Sequence, residues 1–235
     1  MFSKSAALYD AIYSFKDYQS ETEILQGLIE RHKQSPGMDL LDVACGTGAH
    51  ITHLHTHYRL QGLDLDPQMV ALARQKFPGI TFHEADMVDF ELEERFDAVV
   101  CLFSSIGYLK TEARLLAAVQ NMARHLKPGG VLVIEPWLTP DVFQIGTVYA
   151  TFVDQPELKI ARLNINQVQD GLSVFDFHYL VATPQAIEHF TERHELGLYT
   201  HEQYKLAIKE AGLSVIHDPD GLSGRGIYLG LCASE

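Results

Sequence analysis

Three short stretches hold residue types suited to binding a nucleoside. The apolar run Leu40-Leu41-Asp42-Val43 leads into Ala44-Cys45-Gly46-Thr47-Gly48. Glycines after such a strand let the chain turn tightly and let a ligand approach the backbone amides, and a helix start beyond them would add N–H donors. Asp64 stands eighteen residues past Gly46. At the end of the next strand a carboxylate accepts from both hydroxyls of a ribose. Asp86-Met87 follows a third strand. There a carboxylate accepts from an adenine amino group and a thioether packs on the ring. A dinucleotide site of the GxGxxG kind needs a third glycine at position 51, which is Ile51. The set therefore fits a nucleoside without a pyrophosphate, as in S-adenosyl-L-methionine.

Other residues suggest an acceptor. Arg225 lies between Gly224 and Gly226, and a guanidinium exposed there grips a phosphate bidentately. His178 shares a predicted strand face with Asp176, a carboxylate that would raise and orient the imidazole. It is read as a proton acceptor or a sugar contact, with His189 and His194 as weaker candidates. Glu135 ends the fifth predicted strand and would either serve the pocket or cap a turn. His50, His53 and His57 would share a helix face, but no carboxylate or cysteine at ligand spacing completes a metal set, so no metal is expected. Cys45 reads as a small packing residue.

The elements that must position these residues alternate. Ser20 and Glu23 suggest a capping box for a first helix. A strand is predicted over 39–44, a helix over 49–57 and a strand over 59–63. Asp66-Pro67 opens a helix as N-cap and first residue, and strands follow over 80–83 and 96–102. Thr111 caps a long helix that Lys127-Pro128-Gly129-Gly130 should stop. The apolar run over 131–134 suits a strand covered on both faces. Repeated β-α units imply a parallel sheet with right-handed crossovers. From 148 to 198 the period becomes two, with Phe175, Phe177, Tyr179 and Val181 on one face and Val174, Asp176, His178 and Leu180 on the other. Thr200 and Gln203 begin a last helix, and strands over 213–217 and 226–231 end the chain.

The chain has 235 residues, 46% of them apolar, and a net charge of −13. That suits one domain. The charge argues against a nucleic-acid footprint or an anionic membrane surface. No apolar run reaches bilayer length, the amino terminus Met1-Phe2-Ser3-Lys4-Ser5 lacks a secretory core, and three cysteines fit a reduced, cytoplasmic setting.

Asp42-Val43-Ala44-Cys45-Gly46-Thr47-Gly48 resembles the first motif of class I S-adenosylmethionine-dependent methyltransferases. Three further segments narrow the likeness: Phe103-Ser104-Ser105-Ile106-Gly107-Tyr108-Leu109, Ile134-Glu135-Pro136-Trp137 and Ser223-Gly224-Arg225-Gly226. Together they resemble the N,N-dimethyltransferases of TDP-linked amino-deoxysugars in macrolide antibiotic biosynthesis. The resemblance covers nearly the whole chain. It implies an α/β Rossmann-like domain over 1–235, with a seven-stranded, mostly parallel sheet. It also implies a helical cap over 1–36 and an antiparallel insertion over about 146–199, before the last helix and strands. Ala44, Gly46, Gly48, Asp64, Asp86, Met87 and Leu102 would bind the cofactor, with Lys16 or Tyr18 at its carboxylate. Tyr13 and His178 would be the catalytic candidates beside the acceptor amine. Trp137 and Arg225 would complete the acceptor site, and a homodimer is implied. Leu138 follows Trp137 where the resembled enzymes carry a second Trp, and the segment 13–18 is shorter than theirs. Both lie where the acceptor is shaped. Another small acceptor, such as an amino acid, a peptide amino terminus or a hydroxylated metabolite, stays open.

Overall fold

The strand ahead of the glycine loop is an interior strand of the main sheet. In the computed structural model, which describes residues 4–234, β1 (Asp39–Val43) pairs in parallel with β2 (Arg59–Asp64) on one side and β4 (Phe96–Cys101) on the other. β3 (Thr81–Glu84) extends the sheet beyond β2, and β5 (Leu126–Ile134) lies beyond β4. β12 (Ile227–Leu231) runs antiparallel to β5, and β11 (Ser214–Asp218) antiparallel to β12. The order is β11-β12-β5-β4-β1-β2-β3. The reading of the amino terminus at Met1-Phe2-Ser3 falls outside the described residues.

Alternation along the central strands feeds two apolar layers. Leu41, Val43, Val99, Cys101, Leu132 and Ile134 face α5 (Glu112–Arg124) and α6 (His201–Glu210). Leu40, Ala98, Val100, Val131 and Val133 face α2 (Tyr18–His32), α3 (Ile51–Leu54) and α4 (Pro67–Lys76). Both faces are covered, so these strands read as continuous apolar runs. The caps at Asp66, Thr111 and Thr200 each accept from a backbone N–H of the first turn, and Thr200-Gln203 forms a full capping box.

Three local expectations are corrected. α2 starts earlier than the Ser20-Glu23 pair implied, because Asp17 is the N-cap and its carboxylate accepts from Ser20 N at 3.0 Å. The helix after the glycine loop is a single turn, because bonds of the tighter i→i+3 kind, His53 N to His50 O and His57 N to Leu54 O, interrupt the α pattern on either side. Lys127-Pro128-Gly129-Gly130 is no helix stop. α5 has already ended at Arg124, and the stretch is an irregularity inside β5, where the register with β4 slips between Phe96 and Ala98. Lys127 Nζ holds it there through Asp39 and Asp97, at 2.6 and 2.8 Å.

A second, antiparallel sheet follows β5. It comprises β6 (Val148–Gln155), β7 (Leu158–Ile165), β8 (Gln167–Gln169), β9 (Leu172–Ala182) and β10 (Ile187–Gly197), ordered β10-β9-β7-β6 with β8 beside β9. Its inner face carries Phe175, Phe177 and Tyr179. The amino-terminal α1 (Tyr9–Ile12) packs there, with Ile12 among Val153, Ile160, Tyr179, Val181 and Phe190.

Candidate functional site

The two sheets and the amino-terminal segment enclose a cavity of about 930 Å³. One half is built on the carboxyl ends of β1, β2 and β3. Leaving β1, the chain turns through positive φ at Ala44 (59°), Gly46 (55°) and Gly48 (81°). Cys45 N donates to Leu63 O at 2.9 Å and fastens the loop to β2. Asp64 accepts from Gly46 N at 2.8 Å and from Asp66 N at 2.9 Å, so one carboxylate fixes the loop and the entry to α4. Burial raises its pKa, and the backbone donors oppose that. Asp86 accepts from Val88 N and from Arg114 Nη2, at 3.1 and 2.7 Å. Ala44, Gly46, Asp64, Asp86 and Met87 line this half.

Lys16 closes the half from the amino-terminal side. Its Nζ lies 2.5 Å from Glu21 Oε1 and 4.2 Å from the ring centre of Phe103. Glu21 also meets His50 Nε2 at 3.0 Å, so the histidine singled out in sequence belongs to a buried charge cluster. Thr47 Oγ1 donates to Asp10 at 2.6 Å, tying α1 to the glycine loop.

The other half faces the antiparallel sheet. Trp137 lines it, with Nε1 donating to Ser173 Oγ at 2.9 Å. Arg225 Nη1 donates to Ser104 Oγ at 3.1 Å and stands 3.9 Å from Glu135. Glu135 is fully buried and accepts from Phe103 N at 2.6 Å and Ser223 Oγ at 2.8 Å. It therefore brackets two loops, the one after β4 and the one before β12. Phe103 and Ser104 hold positive φ (51° and 61°), a strained conformation for residues with a Cβ. Arg162, from β7, donates to Tyr13 Oη at 3.0 Å and to Thr151 Oγ1 at 3.1 Å. Tyr108 Oη lies 2.7 Å from His194 Nδ1.

The structure brings Tyr13, Lys16, Ala44, Gly46, Asp64, Asp86, Met87, Trp137 and Arg225 to one cavity. Gly48 does not line it. A Cβ there would stand 2.8 Å from the Phe77 ring, so this glycine serves the turn and its packing. Leu102 and Tyr18 line a small adjoining niche of about 30 Å³. His178 is corrected: it is exposed on the outer face of β9, beside Thr191 and His189, because the strand's period of two sends Phe177 and Tyr179 inward instead. Its neighbour Asp176 pairs with Arg193. Arg162, Arg114 and Tyr108, to which the sequence assigns no role, also line the cavity, as does the weaker candidate His194. Arg162 shares its strand face with Ile160 and Asn164, an inward period-two signal that was present in the text.

The cavity thus joins a half lined by Gly46, two carboxylates and Met87 to a half with two guanidinium groups and aromatic walls. A methyltransferase domain model matches residues 40–130. The dTDP-3-amino-3,6-dideoxy-alpha-D-glucopyranose N,N-dimethyltransferase of Streptomyces fradiae is 43% identical over 230 residues, covering 96% of this chain and 90% of its own. The crystal structure of DesVI from Streptomyces venezuelae superposes with a TM-score of 0.92 at 38% identity, covering 98% of this chain and 99% of that one. CalS10, an amino pentose methyltransferase from Micromonospora echinaspora solved with SAM bound, gives 0.86 at 35% identity, covering 98% and 97%. The chain therefore belongs to the class I S-adenosylmethionine-dependent methyltransferases, in the family that includes the dTDP-aminosugar N,N-dimethyltransferases.

Proposed function

We propose that this enzyme N,N-dimethylates a TDP-linked amino-deoxysugar. The observation that carries the reading is the pairing of a carboxylate-bearing nucleoside half with a second half holding Arg162 and Arg225. Bound in the first half, S-adenosyl-L-methionine supplies an electrophilic sulfonium methyl. Asp64 accepts from the ribose hydroxyls with the lone pairs that Gly46 and Asp66 leave available. Asp86, steadied by Arg114, accepts from the adenine amino group, and Met87 packs on the ring. Lys16 faces the carboxylate of the methionyl part. The cavity is large enough for both reactants at once.

In the second half the two guanidinium groups face a diphosphate, which suits their fixed fork of donors. Displacement at a methyl carbon with a good leaving group needs mainly alignment, so the protein contributes proximity and orientation. The inner aromatic face of β9 and the Trp137 wall exclude water. The setting we propose is cytoplasmic; among the described residues no helix is long and apolar enough to cross a membrane. We also propose a homodimer, built on the outer face of the second sheet, where Val148, Phe152, Leu163, Ile165 and Leu180 are exposed.

Calorimetry and mass spectrometry test the reading. Asp64→Ala should weaken S-adenosylmethionine binding about 10- to 100-fold, the worth of one or two charge-assisted hydrogen bonds. Thymidine diphosphate should raise Tm, and Arg162→Ala with Arg225→Ala should abolish the rise. Absence of any nucleotide shift in the wild type rejects the TDP-sugar assignment and favours another small acceptor. The product of a TDP-aminosugar incubation should gain two methyl masses.

A further inference from the structure

Two tyrosines stand in the acceptor half with hydroxyls in different hydrogen-bonding states. Tyr13 Oη accepts from Arg162 Nη1. Tyr108 Oη meets His194 Nδ1 at 2.7 Å. Which of the latter pair donates follows from the residues around the imidazole. Glu192 Oε2 lies 3.9 Å from His194 Nε2. A carboxylate there favours the tautomer with its proton on Nε2, leaving Nδ1 as an acceptor. Glu192 is itself fixed, accepting from Lys4 N, Ser5 N and Ser5 Oγ. The other charged side chain facing the ring is Arg162 from β7, and the edge of Phe177 from β9 closes it. Burial pushes His194 down to about 4, so the ring is neutral at neutral pH. Tyr108 thus gives its hydrogen to His194, and its oxygen offers lone pairs.

The position of Tyr108 is equally specific. It lies on the 3-10 turn Ser105–Leu109, just past β4, whose end neighbours the end of β1. It lines the cavity, and its bond to His194 of β10 ties this turn of the main sheet to the second sheet. It therefore stands at the junction of the two.

On the aminosugar reading above, we propose that Tyr108 orients the acceptor amine by accepting its N–H, and that His194 is the positioning residue that keeps Tyr108 an acceptor. A neutral primary amine has two N–H bonds and one lone pair. Fixing one N–H on Tyr108 aims the lone pair at the methyl carbon. The N–C bond forms as the C–S bond breaks, the electron pair stays on sulfur, and the ammonium formed loses a proton to water. The resulting secondary amine keeps one N–H for Tyr108, so it is aligned in the same way. The tertiary amine has none. The same acceptor that aligns two transfers thereby ends the sequence at two methyl groups.

Steady-state kinetics on a dTDP-aminosugar and on its N-methyl form test this. Tyr108→Phe should lower kcat on the N-methyl substrate about 10²-fold with KM little changed, the cost of lost alignment. The primary amine, which has a second N–H to give to other acceptors in the cavity, should fall less. His194→Gln retains an acceptor for Tyr108 and should keep most of the rate, whereas His194→Leu should match Tyr108→Phe. Equal loss on both substrates, or His194→Gln as impaired as His194→Leu, overturns the proposal. If Tyr108→Phe fails to fold, the two His194 variants decide alone. A wild type inert on both substrates sinks the aminosugar reading and this proposal together. A wild type active on both, with Tyr108→Phe unaffected, sinks this proposal only.

Discussion

At the scale of single residues, the two loop glycines have different physical tasks. Gly46 has open space where a Cβ would be and lines the cavity, while Gly48 would drive a Cβ into Phe77. Gly48→Ala should therefore destabilise the fold by about 1–3 kcal/mol, and Gly46→Ala should cost less stability but more cofactor affinity. Denaturant midpoints alongside calorimetric Kd values separate the two, and equal effects on both quantities would refute the distinction. Asp42, buried at the end of β1, is pushed up to about 7 by burial, with His50 opposing and Asp64 adding. A raised carboxyl pKa stabilises the fold fully below the ordinary value near 4. That contribution is lost as pH rises through 7. Asp42→Asn should thus gain stability over the wild type between pH 5 and 8, by at most about 4 kcal/mol. A Tm difference that is the same at both pH values would contradict this.

At the scale of elements, α1 is a clasp between the two sheets. Ile12 packs on the inner face of the second sheet, Asp10 holds Thr47 of the glycine loop, and Tyr13 holds Arg162. Ile12→Ala should cost about 2–4 kcal/mol if the clasp is integral to the fold. On the aminosugar reading it should also raise the acceptor KM more than that of the cofactor, because the side-chain carbons it removes pack on the inner face of the second sheet. Unchanged kinetics in a folded variant would show that the clasp has no part in acceptor binding. Glu135 plays the corresponding part between the loops after β4 and before β12. Its removal leaves Phe103 N and Ser223 Oγ without their acceptor, and the strained pair Phe103-Ser104 should relax.

At the scale of the whole molecule, the second sheet has two unlike faces. The inner one is covered by α1 and the cavity; the outer one leaves Phe152, Leu180 and Leu163 in solvent. An apolar sheet face of this kind marks an interaction surface. If it is the proposed dimer face, Phe152→Asp should halve the mass measured by light scattering while leaving the circular dichroism spectrum intact. A dimer that survives the substitution moves the interface elsewhere.

The sequence by itself determined the alternating sheet, because hydrophobic period and cap residues are local signals that neighbouring segments enforce. It also determined the glycine turn with Asp64 and Asp86, because a parallel sheet puts successive strand ends on one edge. The tertiary structure alone decided which groups share the acceptor half. Arg162 meets Tyr13 across 149 residues and Tyr108 meets His194 across 86, separations at which no periodicity reports. The same holds for His178, whose spacing to Asp176 looked like chemistry until the pleat turned both outward. A period of two says that residues share a face, and only packing says which face is the inside.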